Sequence, residues 1–315
     1  MVRGKEGDVF IFEYKRGQRL TLDNTVLALG FFDGVHTAHR MLIEDGMRIA
    51  KEQSLRFAVL TFPSEDRLKK SSPRIYGTEE RLSLFNKMGV ENVVLADFNS
   101  ISDMSAEEFV NEALVRDMGC KIAVAGYNFR FGKGASGSSA DLLKLMRAVG
   151  GDAIIHSEHS YQGKPISATR IRVALQSGDV RLANKLLSAP YFVKGAVTHG
   201  KSLGHTLGFP TVNMSLPEER FVIANGVYKT DVEIDGTIYK GITNVGSCPT
   251  FESRDIHLET FILDFEGNLY EREITVYFMD YLREERKFSS PEELTKQIAK
   301  DCELVKGDLY GRHLD

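Results

Sequence analysis

The chain has 315 residues, 42% hydrophobic and 27% charged, an ordinary globular balance with apolar side chains enough for one large domain or two ordinary ones. Its formal net charge of −4 argues against a dedicated nucleic-acid binder, which would carry a basic surface. No apolar stretch approaches the ~20 residues needed to span a bilayer.

The opening MVRGKEGDVFIFEYKRG is too charged to hold the apolar core of a signal peptide. Cys120, Cys248 and Cys302 stand far apart, without metal-ligand spacing and, being odd in number, without a disulfide framework. A soluble cytoplasmic protein with no nucleic-acid or membrane partner is expected. None of these features sets an oligomeric state.

Five short apolar runs come next: TVLALGFF (25–32), RFAVLTF (56–62), NVVLADF (92–98), KIAVAGY (121–127) and DAIIHS (152–157). They are rich in Val, Ile and Ala and do not alternate, as expected of parallel strands covered on both faces. Between them a helix is expected from about Thr37 through Glu52. Another, TEERLSLFNKMG (78–89), closes on Gly89, and SAEEFVNEALVRDMG (105–119) opens with the capping-box spacing of Ser105 and Glu108. The stretch EDRLKKSSPR (65–74) reads as a solvated loop. This alternation predicts an open α/β sheet that binds ligands at the carboxyl ends of its strands.

Residues 170–191 read as two short helices joined at Gly178-Asp179. The pattern then changes to strand-like segments: YFVKGAVTHG, GVYKTDVEID, TIYKGITNVG, HLETFILDF and LYEREITVYFMDYL. Asp235-Gly236 is a tight-hairpin signal between two of them. A small, mainly antiparallel β-barrel is expected, followed by a helix from Ser290-Pro291 through Val305. The expected domains are 1–186 and 187–315.

Two stretches carry chemistry. GFFDGVHTAHR (30–40) follows the first expected strand and leads into a helix, with His36 and His39 three apart on one side of its first turn. A helix N-terminus offers free N–H groups and partial positive charge to a phosphate, and imidazoles there can donate to phosphoryl oxygens under attack. Gly30 and Gly34 would let the chain approach a nucleotide closely. Capping or solvent-exposed histidines are the plainer reading, and a zinc pair lacks a third ligand nearby. In THGKSLGHTLGFPTVNM (198–214), Gly200, Gly204 and Gly208 leave room for backbone N–H groups to cradle a phosphate, though such stretches are also ordinary turns. Thr211 and Asn213, alternate residues of an extended segment, share a face and present hard oxygen ligands suited to Mg²⁺.

GFFDGVHTAHR, GYNFRFGKGASG (126–137) and ISATRIR (166–172), followed by GFPTVN, NGVYKT, GITNVGSCPTFE and LETFILDFEGNLY, resemble in content and order the bacterial bifunctional riboflavin kinase/FAD synthetase family. The resemblance implies a Rossmann-like nucleotidyltransferase domain and a riboflavin kinase barrel, which use ATP and Mg²⁺ to convert riboflavin to FMN and FMN to FAD. It implies phosphate or nucleotide contacts for Asn128, Ser167, Thr169 and Arg172. It makes Glu259 the general base of the kinase, and it places Arg283 and Phe288 near the flavin. The chain departs from the family at Ala38 and Ala168, where glycine and serine are usual, at His205 in place of arginine, and at Phe62-Pro63-Ser64-Glu65, which lacks a histidine and a proline. Two alternatives are a kinase with a weak or inactive synthetase domain and a non-catalytic flavin-binding regulator. The joint presence of Glu259, Thr211 and Asn213 argues against the latter.

Overall fold

The computed structural model describes residues 2–6, 9–64, 73–198, 211–215, 221, 223–247 and 256–307. The chain forms two compact units, Met1–Ala168 and Thr169–Asp315. Among the described residues no helix is long and apolar enough to cross a membrane.

The first unit is built on a seven-stranded sheet. Its strands are β1 (Val2–Glu6), β2 (Val9–Tyr14), β3 (Thr25–Leu29), β4 (Arg56–Thr61), β5 (Asn92–Ala96), β6 (Cys120–Gly126) and β7 (Asp152–His156). Their order is β1-β2-β5-β4-β3-β6-β7, parallel throughout except for the antiparallel β1–β2 pair. All five expected strands are present. The β1–β2 hairpin is an addition: charged residues mask its pattern, although Val9, Ile11, Phe12 and Tyr14 are buried.

Helix α1 (Thr37–Glu52) buries Leu42, Ile43, Gly46, Ile49 and Ala50, one stripe at helical spacing. Helix α2 (Thr78–Lys87) and helix α3 (Ser139–Ala148) complete the main helical cover. The segment expected as a helix over 105–119 opens on the Ser105/Glu108 capping box and then widens into a π-helix over Phe109–Asp117. Its buried residues, Phe109, Val110, Ala113, Leu114 and Asp117, lie three and four apart, a spacing that an α-helix also keeps on one face.

The second unit begins with α4 (Ala168–Gln176) and α5 (Val180–Leu187). Gly178 joins them at φ 77°, and Asp179 caps α5 by accepting the Leu182 N–H at 3.0 Å. The units therefore divide ahead of the position near 186 where helix gives way to strand.

Strands β8 (Tyr191–Ala196), β9 (Thr211–Ser215), β10 (Gly226–Ile234), β11 (Thr237–Ser247), β12 (Ile256–Ile262) and β13 (Glu273–Arg283) form an antiparallel sheet in the order β8-β13-β10-β11-β12-β9. The sheet curls until the chain beyond β8 meets β9 at the Thr198–Asn213 bridge. Asp235 and Gly236, at φ 48° and 79°, make the expected two-residue hairpin between β10 and β11. The buried hydroxyls of Thr230, Thr243 and Thr260 form a ladder across β10, β11 and β12 with 2.9 Å spacings. Helix α6 (Pro291–Gly307) packs Val305 against Val227, Ile242 and Leu263.

Candidate active sites

The first site grows from the carboxyl end of β3. From β3 the strands run to β4 and β5 on one side and to β6 and β7 on the other, so the loop after β3 opens at the switch point of the sheet. The loop turns sharply there: Phe32, Gly34 and Val35 have φ of 55°, 80° and 43°. Gly34 takes this conformation without strain. Gly30 is crowded by Phe32 itself, since a Cβ there would lie 3.0 Å from the ring.

His36 caps α1. Its Nδ1 accepts the backbone N–H of His39 at 3.4 Å, which leaves the proton of the neutral ring on Nε2. The two imidazoles stack at 3.6 Å, and Phe32 stands edge-on to His39 at 5.2 Å. Burial pushes His36 down to about 4. Burial first, and then the neighbouring His36, holds His39 well below the ordinary histidine range. Near pH 7 both rings are neutral hydrogen-bonding groups at a helix N-terminus, not cations. Ala38 has ordinary helical backbone as the second residue of α1, so the fold does not demand glycine there.

Arg81 and the aromatic cluster beside it were not singled out from the sequence. Arg81, on α2 and only 1% exposed, donates to the carbonyls of Phe31 (3.0 Å) and Phe62 (2.7 Å) and to Thr61 Oγ1 (2.8 Å). It thereby ties the ends of β3 and β4 together. The Arg74 guanidinium lies 3.8 Å above the Phe31 ring. Phe31, Phe62 and Phe98 continue as a chain of ring contacts at 6.1 and 5.5 Å. Ser64 is tied to the start of α2 by a reciprocal pair: Ser64 N–H donates to Thr78 Oγ1 and Thr78 N–H to Ser64 Oγ. The one available signal was an arginine among the inward positions of α2.

Asn128 stands exposed just beyond β6. Ser167 immediately precedes α4 and belongs to the first unit; Thr169 and Arg172 lie on α4 in the second.

The second site forms on one face of the barrel sheet. Thr211 Oγ1 donates to Glu259 Oε1 at 2.7 Å. Asn213 on β9 pairs directly with Glu259 on β12, and Glu259 pairs with Asn244 on β11. The Thr211/Asn213 pair and Glu259, read from separate stretches of the sequence, are thus brought together. The buried Thr260 and Thr243 point to the opposite face and hold these strands from beneath. A cavity of about 380 Å³ opens beside Thr211, walled by Val197, Ile262, Phe265, Leu269 and Tyr270 among others.

Arg283, at the end of β13, is engaged by the buried Asp301 of α6, with Nη2 2.8 Å from Oδ2. The Phe288 ring lies 4.8 Å from the Arg286 guanidinium and 6.0 Å from that of Arg283. Gly200, Gly204 and Gly208, together with His205, Glu65 and Cys248, lie outside the described residues. Cys120 is buried and Cys302 partly buried, both as free thiols.

A family model for FAD synthetase matches residues 18–170, and one for riboflavin kinase matches residues 187–309. A bifunctional riboflavin kinase/FMN adenylyltransferase of Bacillus subtilis is 36% identical over 286 residues, covering 88% of this chain and 90% of the relative. Its counterpart in Escherichia coli K12 is 33% identical over 297 residues, covering 92% and 94%. A crystal structure described as a macrolide-efflux protein from Streptococcus pneumoniae shares the fold with a TM-score of 0.84 and 32% identity, covering 94% of this chain and 98% of the other. With both halves matched and relatives 33% to 36% identical covering most of it, the chain belongs to the bacterial bifunctional riboflavin kinase/FMN adenylyltransferase family.

Proposed function

We propose that this chain phosphorylates riboflavin to FMN with ATP in its second unit and adenylylates FMN to FAD, releasing pyrophosphate, through the site in its first. The observation that carries the kinase half is the Thr211–Glu259 hydrogen bond on the face shared with Asn213. Glu259 is the general base. It takes the proton of the ribityl 5′-hydroxyl as that oxygen bonds to the γ-phosphorus of ATP and the bond from phosphorus to ADP breaks. The Thr211 hydroxyl fixes the carboxylate in place.

Thr211 and Asn213 offer hard oxygen ligands that suit Mg²⁺, which supplies charge neutralisation at the phosphates when bound. Phosphate oxygens of the nucleotide would supply the remaining ligands of such an ion. The cavity beside Thr211 has the size and apolar walls of a nucleotide-base pocket. Gly200, Gly204 and Gly208 are the candidate phosphate cradle. Arg283, held by Asp301, and Phe288 are the flavin-side residues.

In adenylyl transfer an FMN phosphate oxygen attacks the α-phosphorus of ATP and pyrophosphate leaves, with no protein nucleophile. His36 and His39 serve as neutral donors to the α-phosphate oxygens, where charge builds in the transition state. Asn128 and Ser167 hold phosphates and nucleotide, and the Phe31–Phe62–Phe98 rings offer apolar faces for the isoalloxazine.

Incubation with riboflavin, ATP and Mg²⁺ and separation of the flavins over time tests both halves. Glu259→Gln is expected to abolish FMN formation while supplied FMN still becomes FAD. His36→Ala is expected to do the reverse. A fully active Glu259→Gln enzyme removes the base from Glu259, and undiminished FAD synthesis by His36→Ala removes the first-site assignment.

A further inference from the structure

The register of the barrel gives the second site a direction. Asn213, Glu259 and Asn244 form one row across β9, β12 and β11, with Glu259 in the middle. Directly opposed residues of antiparallel strands carry their side chains on one face, about 5 Å apart. The groups suited to the nucleotide's phosphates lie on the β9 side of Glu259: the Thr211 hydroxyl, bonded to its carboxylate, and Asn213. An in-line transfer places the attacking oxygen opposite the leaving ADP, so the acceptor approaches from the β11 side.

On that side stands a polar pair that the reaction has not used. Asn244 Nδ2 donates to Glu285 Oε1 at 2.9 Å. Two residues along the same face of β11, Gly246 makes room for this carboxylate: a Cβ there would lie 2.6 Å from Glu285 Oε1. Glu285 thus lies over β11 and fixes the Asn244 amide, leaving its carbonyl oxygen and second N–H for another partner.

We propose that Asn244, oriented by Glu285, binds the ribityl chain of riboflavin at the 4′-hydroxyl, next to the attacking 5′-oxygen, and so selects a polyol-bearing acceptor. This rests on Glu259 being the base. Asn244 is a binding residue and Glu285 a positioning residue acting through it.

The test is steady-state FMN formation by the full-length chain with riboflavin and with its 4′-deoxy analogue. Asn244→Ala is expected to raise the riboflavin KM about tenfold, the worth of one lost hydrogen bond, while the ATP KM stays unchanged. With the 4′-deoxy analogue, wild type and Asn244→Ala are expected to have the same KM. Glu285→Ala is expected to raise the riboflavin KM in part, and Glu285→Gln, which keeps an acceptor for the Asn244 amide, to restore it. An unchanged riboflavin KM in Asn244→Ala, an equal rise in the ATP KM, or an undiminished penalty with the 4′-deoxy analogue overturns the proposal. If Glu259→Gln is inactive when that happens, the base assignment stands and only this inference falls; an active Glu259→Gln removes its foundation.

Discussion

His36 illustrates how burial changes what a residue can do. An exposed imidazole would be partly charged near neutrality, whereas His36 is held at about 4. Adenylyl transfer is therefore expected to show no histidine ionisation between pH 5 and 8; a rate rising or falling across pH 6.5 with the histidine titration would contradict the neutral-donor role. The same shift bears on stability. The unfolded chain takes up a proton at His36 below about 6.5 that the folded chain refuses until about 4. Stability is thus full above 6.5 and declines toward 4, by about 3 kcal/mol for this residue. Urea denaturation at pH 7 and 4.5 should reveal that slope in the wild type and a shallower one in His36→Ala.

Ala38 can be judged at the same scale. Its backbone is helical, so Ala38→Gly is expected to destabilise by about 0.5 kcal/mol, a helix-propensity cost. If the methyl crowds ATP, the same variant lowers the ATP KM for FAD synthesis; an unchanged KM means that the site accommodates alanine. The histidine spacing and the Thr211/Asn213 alternation were legible from neighbours in sequence, because a helix turn and an extended strand place such residues on one face. The stacking of His36 on His39 and the grip of Asp301 on Arg283 depend on packing that no local pattern reports.

Among the elements, α2 holds the first site in shape. Arg81 reaches from it to the carbonyls at the ends of β3 and β4. Arg81→Ala would leave those buried carbonyls without the guanidinium and is expected to cost about 3 kcal/mol, a shift measurable by denaturation, with FAD synthesis falling more than FMN formation. Equal loss of both activities would count against a local role. The five parallel strands could be read in advance, since strands covered on both faces are continuous apolar runs. The β1–β2 hairpin was hidden because charged residues break its apolar pattern: Arg3, Lys5 and Glu6 fall within the five residues of β1. The π-helix was hidden because the three- and four-residue spacing of its buried residues is also that of an α-helix.

For the whole molecule, the two reactions share an intermediate, FMN, that both sites must accept. A mixture of Glu259→Gln and His36→Ala proteins is expected to make FAD from riboflavin, with a lag that shortens as protein concentration rises. Absence of FAD from the mixture would mean that FMN must pass within one chain.

The sequence by itself determined that an α/β half precedes a β half, and it supplied the order of the phosphate-handling motifs, because period, turn residues and short motifs are local properties of the chain. The tertiary structure alone decided which of those residues act together. Strand register set Asn213, Glu259 and Asn244 in one row, and burial neutralised His36. Register and burial arise from pairings between residues tens of positions apart, and these exist only once the sheet has formed.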